Sequence, residues 1–128
     1  MAQRVLIVDD EAPLVSLLAQ ALSDHRFQVA SARDGVDCMN KVATFKPDVV
    51  LMDVMMPRLD GVDATRLIRR NRSWSDVIII ALSARSDPAS RDQIIQAGAD
   101  LFVSKPFSIQ RLVGQIQRLL VARARPAG

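Results

Sequence analysis

The sequence has little of several residue types that particular classes of protein require. Its 128 residues include one cysteine, Cys38, and one histidine, His25, which excludes a disulfide framework and a zinc site of cysteine and histidine ligands. Four phenylalanines, one tryptophan and no tyrosine offer few rings for stacking on nucleic-acid bases. The longest apolar runs, residues 5–8 and 77–82, are far shorter than the ~18 residues of a membrane span.

The remaining composition is typical of one globular domain, with 49% hydrophobic and 24% charged residues. The net charge is +3, but the basic residues are spread along the chain. The nearest approach to a basic patch, Arg66, Arg69, Arg70 and Arg72, is predicted to be a solvated helix face and its exit loop. Residues 1–4 lead directly into an apolar run, which leaves no room for a signal peptide, so we expect a cytoplasmic protein without membrane or direct nucleic-acid contacts.

Short apolar runs alternate with longer segments of helical spacing. The runs occupy residues 5–8, 28–30, 49–52, 77–82 and 101–103. Helices are predicted over 35–44, 61–70 and 88–97, and two further amphipathic stripes are formed by Leu14, Leu17, Leu18, Ala21 and Leu22 and by Ile109, Leu112, Val113, Ile116, Leu119 and Leu120. This alternation predicts an α/β domain with a doubly wound, five-stranded parallel sheet. The flavodoxin-like order 2-1-3-4-5 is expected, with the shorter second and fifth strands at the edges.

Polar side chains stand where the central strands of this sheet end. Asp9 and Asp10 follow the first run, Asp53 the third, Ser83 the fourth and Lys105 the fifth. Since such sheets bind ligands beyond the carboxyl ends of their strands, we expect the three aspartates to converge, with Ser83 and Lys105 at the rim. Three neighbouring carboxylates repel one another, and a hard divalent cation such as Mg²⁺ would relieve that repulsion.

Each of these residues also has an ordinary structural interpretation. Asp10 or Glu11 alone would be a favourable charge at a helix N-terminus, Ser83 alone a turn or capping hydroxyl, and Lys105 alone a surface lysine. The functional interpretation depends on their occurring together at the carboxyl ends of strands.

Other chemistries on such a sheet lack their residues. The first loop, residues 9–13, has no glycine-rich phosphate-binding pattern, and its carboxylates would repel a bare phosphate or a flavin mononucleotide. His25 precedes the second strand, at the wrong end of the sheet for a serine hydrolase. Carboxylate nucleophilic chemistry on phosphorus, assisted by a metal and a lysine, remains.

The set Asp9-Asp10, Asp53, Ser83 and Lys105-Pro106 resembles the receiver domain of two-component response regulators, the family of the chemotaxis regulator. Asp10 and Asp53 are 43 residues apart, Ser83 follows after 30 more and Lys105 after 22 more. The segments 56–61 and 97–100 also fit, and the resemblance covers about residues 3–122. It implies a receiver domain over residues 1–122, followed at 123–128 by a flexible tail or the start of a linker.

The resemblance implies that Asp53 is the phosphoacceptor, which takes a phosphoryl group from a histidine kinase, a phosphotransfer protein or a small phosphodonor. Asp10 and Asp53 would bind Mg²⁺ directly together with the backbone carbonyl of Met55, and Asp9 would act through a water molecule. The domain would assist its own phosphorylation and dephosphorylation without being a conventional enzyme.

The resemblance further implies that Lys105 pairs with a phosphoryl oxygen, with a cis peptide bond to Pro106, and that the Ser83 hydroxyl and the Ala84 N–H bind the phosphoryl group. Ser83 and Phe102 would form the switch, which alters the surface of helix 4, strand 5 and helix 5. That surface could then serve an effector domain, a downstream protein or a phosphorylation-dependent homodimer.

Two positions that vary in such receivers flank the route by which water reaches the acyl phosphate. Met55 and Arg85 stand two residues after Asp53 and Ser83, and we hypothesise that they shield the phosphoryl group and lengthen its lifetime.

Two alternative functions are open. One is a receiver-like docking module that acts without phosphorylation. The intact set Asp9, Asp10, Asp53, Ser83 and Lys105 argues against it, because such a module need not retain all five residues. A phosphatase of the haloacid dehalogenase type would carry D-x-D-x-T after the first strand, which this sequence lacks.

Overall fold

A parallel sheet with helices on both faces forms the described part of the chain, which in this computed structural model comprises residues 2–56, 59–85 and 87–124. The strands are β1 (Arg4–Val8), β2 (Gln28–Ala32), β3 (Val49–Asp53), β4 (Ile78–Ser83) and β5 (Leu101–Ser104). They pair in the order β2-β1-β3-β4-β5, and every pair is parallel. The predicted doubly wound, flavodoxin-like sheet is confirmed.

Four of the five helices in the described part of the chain begin where a short polar side chain accepts a backbone N–H group of the first turn. The helices are α1 (Ala12–Asp24), α2 (Gly35–Phe45), α3 (Gly61–Arg70), α4 (Pro88–Ala97) and α5 (Ile109–Ala124), with a 3₁₀ turn at Arg72–Trp74. Asp34, Asp60 and Asp87 cap α2, α3 and α4, and Ser108 caps α5 by accepting from the Arg111 N–H at 3.2 Å. No helix within the described ranges is both long and apolar enough to cross a membrane.

The predicted C-terminal tail lies partly within α5. Residues 123 and 124 are helical, and residues 125–128 lie outside the described residues. The division of the chain at residue 122 stays a prediction.

Strand ends set the positions of the polar side chains. β3 and β4 each reach one residue beyond their predicted ends, so that Asp53 and Ser83 are the last residues of their strands. Asp53 pairs with Leu82, and Ser83 pairs with Ser104. Because both residues belong to the sheet's hydrogen-bonded ladder, their backbone is fixed while their side chains face the carboxyl edge.

Two apolar layers cover the sheet, one on each face. On one face β1, β3 and β4 pack against α2, α3 and α4, and on the other the same strands pack against α1 and α5. All residues of β3 and β4 are buried, as expected for central strands that are covered on both sides. The polar side chains at the ends of β3 and β4 therefore stand on a fully buried base.

The predicted buried stripe of α1 is wrong at one position. Leu18 and Leu22 are fully buried, but Leu17 is 60% exposed. Val15 and Ala19 pack against the core instead, beside Leu18 and Leu22. The apolar residues of this helix fit two overlapping faces, one that contains Leu17 and one that contains Val15 and Ala19. The helix buries the face that is turned toward the sheet.

Arg69 is also placed differently from its prediction as part of a solvated face. Its guanidinium donates to the Val77 carbonyl at 2.7 Å, the Gly98 carbonyl at 2.9 Å and the Asp100 carboxylate at 2.8 Å. Gly98 has φ = 122°, and the space that a side chain there would occupy is filled by Arg69. Arg69 thus joins the ends of α3 and α4 to the starts of β4 and β5.

A second arginine, Arg123, connects the end of α5 to the residues that precede β3 and β4. Arg123 donates to the carbonyls of Asp48 and Asp76, at 3.2 and 3.0 Å, and to the Asp48 carboxylate at 3.2 Å. These two aspartates precede β3 and β4, so the amino ends of the central strands are held by charge-assisted hydrogen bonds.

We expect Arg69→Ala to lower the free energy of unfolding by about 2–3 kcal/mol, because it leaves the Val77 and Gly98 carbonyls without this donor and removes the ion pair with Asp100, which keeps only the Ile79 N–H. Arg66→Ala is the matched control on the same helix, since Arg66 makes one exposed ion pair, with Asp63 at 3.3 Å, worth less than about 0.5 kcal/mol. Urea unfolding would measure both. Equal losses for the two variants would contradict the structural role of Arg69.

Candidate phosphoacceptor and metal site

The turn after β1 places two aspartates in different environments. Asp9 is 1% exposed, whereas Asp10 is exposed to solvent. The Asp9 backbone donates to the Ala32 carbonyl at 3.0 Å, which continues the β1–β2 ladder. One oxygen of the Asp9 carboxylate accepts the Glu11 N–H at 2.9 Å, so its side chain is held in one orientation.

Asp53 lies at the bottom of the site, 3% exposed. Its Oδ1 accepts the Met55 N–H at 3.2 Å. The start of α3 comes so close to this strand end that a side chain on Gly61 would lie 2.5 Å from the Asp53 carbonyl oxygen. Glycine at position 61 therefore allows α3 to pack directly against the backbone of the candidate phosphoacceptor.

Lys105 extends from the end of β5 into the carboxylates. Its Nζ lies 2.9 Å from Asp9 Oδ2, 3.3 Å from Glu11 Oε1 and 3.6 Å from Asp53 Oδ1. The expected cis peptide bond between Lys105 and Pro106 is present. One ammonium group thus faces three carboxylates.

The pKa values of Asp53 and Lys105 are both raised, but for different reasons. Burial raises the pKa of Asp53 to about 6, and the Asp9 carboxylate adds to the effect, although Lys105 opposes it. Burial disfavours the charge of Lys105, but its hydrogen bond to Asp9 and the carboxylate of Asp53 outweigh this cost and raise its pKa. The site holds more negative charge than one lysine can neutralise.

The residues present fit a divalent cation. Carboxylate oxygens of Asp9, Asp10 and Asp53 all lie within 4.8 Å of one another. Hard cations prefer such oxygen ligands, and a cation would offset the repulsion from Asp9 and Asp10 that adds to the effect of burial on the pKa of Asp53. Both oxygens of Asp9 are already engaged, by Lys105 and by the Glu11 N–H.

Ser83 and Ala84 border the site on the β4 side. Ser83 is 1% exposed, and its hydroxyl oxygen accepts the Arg85 N–H at 3.0 Å. Ala84 follows it and is exposed. The hydroxyl of Ser83 thus holds the backbone of the loop that follows β4.

A groove of about 450 Å³ opens beside Asp53 and separates the β3–α3 loop from α4. It is lined by Val54, Met55, Met56, Asp60, Val62, Ser83, Arg85, Ser90 and Gln93. Met55 is 56% exposed, and Arg85 lies 3.7 Å from Asp87. The two predicted shielding residues therefore stand on the same groove.

Phe102 lies on β5 beside Ala81 of β4 and is half-buried. The Arg91 guanidinium of α4 lies over its ring, 5.1 Å from the centroid, within the range of a cation–π contact. The ring therefore joins α4 to β5 between the core and the solvent.

One contact in the site was not predicted from the sequence, and one predicted segment is only partly described by the structure. Glu11 was interpreted only as a helix-terminal charge, yet it bonds to Lys105; no sequence signal links two residues 94 positions apart. Pro57 and Arg58, within the predicted 56–61 segment, lie outside the described residues. His25 stays at the amino ends of the strands, beside Gln3 and Phe27, away from the site.

The fold, with three aspartates and one lysine at the carboxyl ends of its strands, matches a known family of signalling domains. Residues 5–117 match the family model described as the response regulator receiver domain. The chain belongs to the response regulator receiver family of two-component signalling, which is a family of signalling domains.

Curated relatives agree with this assignment. Response regulator MprA of Mycobacterium tuberculosis (strain H37Rv) is 36% identical over 126 residues, covering 98% of this chain and 54% of that protein. MprA of Mycobacterium sp. (strain KMS) is 38% identical over 120 residues, covering 94% and 51%. The chain spans about half the length of these curated relatives.

Solved structures share the fold over nearly their whole length. The receiver domain of a signal transduction histidine kinase from Syntrophus aciditrophicus has a TM-score of 0.90 at 28% identity, covering 99% of this chain and 96% of that one. Chemotaxis response regulator CheY4 of Vibrio cholerae has a TM-score of 0.87 at 26% identity, covering 93% and 99%. The BeF3-activated DrrB receiver domain has a TM-score of 0.85 at 29% identity, covering 94% and 99%.

We expect Asp53→Asn to stabilise the metal-free protein increasingly as the pH rises from 4 to 7. A carboxyl whose pKa rises on folding, here from 3.8 to about 6, binds its proton more tightly in the folded state, so the wild type loses stability as the pH passes through that window. The charged groups facing Asp53 are Asp9, Asp10 and Lys105. The gain at neutral pH should be about 3 kcal/mol, since one pKa unit corresponds to about 1.4 kcal/mol.

Urea unfolding in EDTA at several pH values would measure this gain. Saturating Mg²⁺ should reduce or reverse it, because the cation binds the wild-type carboxylates and stabilises the folded state. A difference between the two proteins that does not vary between pH 4 and 7 would contradict the assignment of the raised pKa to Asp53.

Proposed function

We propose that this chain is a phosphorylation-dependent receiver whose phosphoacceptor is Asp53. The convergence of Asp9, Asp10 and Asp53 within 4.8 Å carries the proposal, together with the ammonium of Lys105 at 3.6 Å from Asp53. In a member of the receiver family, this arrangement supports phosphoryl transfer to an aspartate.

The transfer requires one bond to form and one to break. A carboxylate oxygen of Asp53 attacks the phosphorus of a phosphohistidine or of a small phosphodonor such as acetyl phosphate. The bond from phosphorus to the histidine nitrogen or the acetate oxygen breaks, and its electron pair leaves with that group. Hydrolysis of the resulting acyl phosphate by water returns the Asp53 carboxylate and inorganic phosphate.

Charge neutralisation at Asp53 supports both steps. Mg²⁺, when bound, neutralises part of the charge on the transferring phosphoryl group. Asp10, Asp53 and the Met55 carbonyl are proposed as its direct ligands. Asp9 is proposed to act through water, which agrees with the engagement of both its oxygens by protein donors.

The phosphoryl oxygens would be held by Lys105, the Ser83 hydroxyl and the Ala84 N–H. A bound phosphoryl group, with nearly two negative charges and three acceptors, would draw the Ser83 hydroxyl from the Arg85 N–H that it now accepts. The loop after β4 would follow, and Phe102 would move toward the vacated space. The altered surface would comprise α4, β5 and α5.

Partners follow from the family rather than from contacts in this chain. A histidine kinase or phosphotransfer protein is the proposed phosphodonor. The twofold greater length of the MprA relatives supports an effector domain or downstream protein as the recipient of the signal. A phosphorylation-dependent homodimer and a cytoplasmic location stay predictions.

We expect one phosphoryl adduct on the intact wild-type protein after incubation with acetyl phosphate and Mg²⁺, measured by mass spectrometry. The adduct should be absent in EDTA and in Asp53→Asn, because the first lacks the cation and the second lacks the nucleophile. Asp60→Asn is the matched control, since Asp60 lines the groove near Asp53 but is not a proposed ligand; it should keep the adduct. A wild-type protein that binds Mg²⁺ but forms no adduct would favour the docking-module alternative.

We expect Met55→Asn to shorten the lifetime of the aspartyl phosphate by about three- to tenfold, since it replaces a bulky apolar side chain by one that attracts water. Phosphate release after removal of the phosphodonor would measure the rate. Leu67→Asn is the control, because Leu67 is an exposed apolar residue on α3 away from the groove. An unchanged rate in Met55→Asn would remove Met55 from the shielding hypothesis.

A further inference from the structure

Glu11 occupies the N-cap position of α1 without capping the helix. Its carbonyl accepts the Val15 N–H at 3.1 Å, but its side chain makes no capping hydrogen bond. The carboxylate extends instead to Lys105, where Oε1 accepts from Nζ at 3.3 Å. This is the single glutamate of the sequence, and it contacts the lysine proposed to bind the phosphoryl group.

The two hydrogen-bonded carboxylates around Lys105 differ in how easily they can be exchanged. The Asp9 side chain is 0% exposed and lies at 2.9 Å, whereas the Glu11 side chain is 61% exposed and lies at 3.3 Å. A buried, short, charge-assisted bond is costly to break, since the buried charge would lose its partner. An exposed ion pair is weak, because water solvates the released carboxylate.

We propose that Glu11 is a positioning residue that holds the Lys105 ammonium in the unphosphorylated protein and releases it to the incoming phosphoryl group. The proposal rests on the phosphoryl-transfer function proposed above. Asp9 is the permanent partner of the ammonium, and Glu11 is the exchangeable one. Glu11 thereby slows phosphorylation, since its contact with Lys105 must break as the phosphoryl group takes the ammonium.

The two directions of the reaction respond differently to Glu11. Phosphorylation begins with Lys105 bound to Glu11, so loss of the contact accelerates it. Hydrolysis begins with Lys105 already bound to the phosphoryl group, so loss of the contact leaves its rate nearly unchanged. A role confined to the stability of α1 would produce no such split.

Two substitutions separate contact from charge. Glu11→Gln keeps the length of the side chain and removes its charge. Glu11→Asp keeps the charge but shortens the side chain, and aspartate at an N-cap position bonds to the N–H groups of its own helix. Both variants should weaken or remove the ion pair with Lys105 and raise the second-order rate constant for phosphorylation by acetyl phosphate about two- to fivefold, the size expected for loss of one exposed ion pair. Hydrolysis should change less than about twofold in both.

A spectroscopic measurement tests the contact without phosphorylation. The sequence has three lysines, Lys41, Lys46 and Lys105, so carbon-13 labelling of lysine gives three sets of side-chain NMR signals, assigned with Lys105→Arg. The Lys105 signals should shift in both Glu11 variants of the metal-free protein. The signals of Lys46, which is exposed and distant, should stay in place.

The possible results are distinct. Faster phosphorylation of both variants with shifted Lys105 signals supports the proposal. Faster phosphorylation of Glu11→Gln alone overturns it in favour of charge repulsion of the phosphodonor at a distance. Unchanged or slower phosphorylation overturns it as well. Absence of an adduct in the wild type defeats the proposed function itself, and the Lys105 signals then still report whether the contact with Glu11 exists.

Discussion

The mutual repulsion of three carboxylates at one edge of the sheet is the constraint on which the site depends. Asp9, Asp10 and Asp53 are brought within 4.8 Å because β1 and β3 are adjacent, parallel and end at the same level. The apolar layers on both faces keep Asp53 away from water, so solvent cannot screen the repulsion. One ammonium offsets part of it, and the remainder favours a cation and then a phosphoryl group held by that cation.

Attractive contacts predominate at the amino ends of the strands, opposite the site. Arg69 and Arg123 bind carbonyl and carboxylate oxygens that precede β3, β4 and β5. The amino ends of the strands are thereby tied together, and the carboxyl ends carry groups that repel one another. The contacts that stabilise the fold and the carboxylates that favour ligand binding therefore lie at opposite ends of the strands. A change at the site need not disrupt the contacts that hold the sheet together.

The sequence predicts the site better than it predicts the packing around it. Asp53 follows an apolar run that only a buried central strand explains, so strand order alone placed it near Asp9. Leu17 was misassigned because the spacing of apolar residues defines the angular position of the buried face of a helix only approximately. Arg69 and Glu11 could not be placed, since partners such as Gly98, Asp100 and Lys105 are tens of residues away and both side chains look like ordinary surface charges until the strands are assembled.

The contacts of α4 differ along its length. The Gly98 carbonyl at its C-terminal end accepts from the Arg69 guanidinium at 2.9 Å, whereas its first half is joined to β5 by the weaker contact of Arg91 with the Phe102 ring. Under the proposed function, a displacement of the Ser83 loop would therefore break the Arg91 contact first, and α4 would pivot about its Gly98 end. The first turn of α4 would then move the most, and a partner that distinguishes the two states would gain most by contacting that turn.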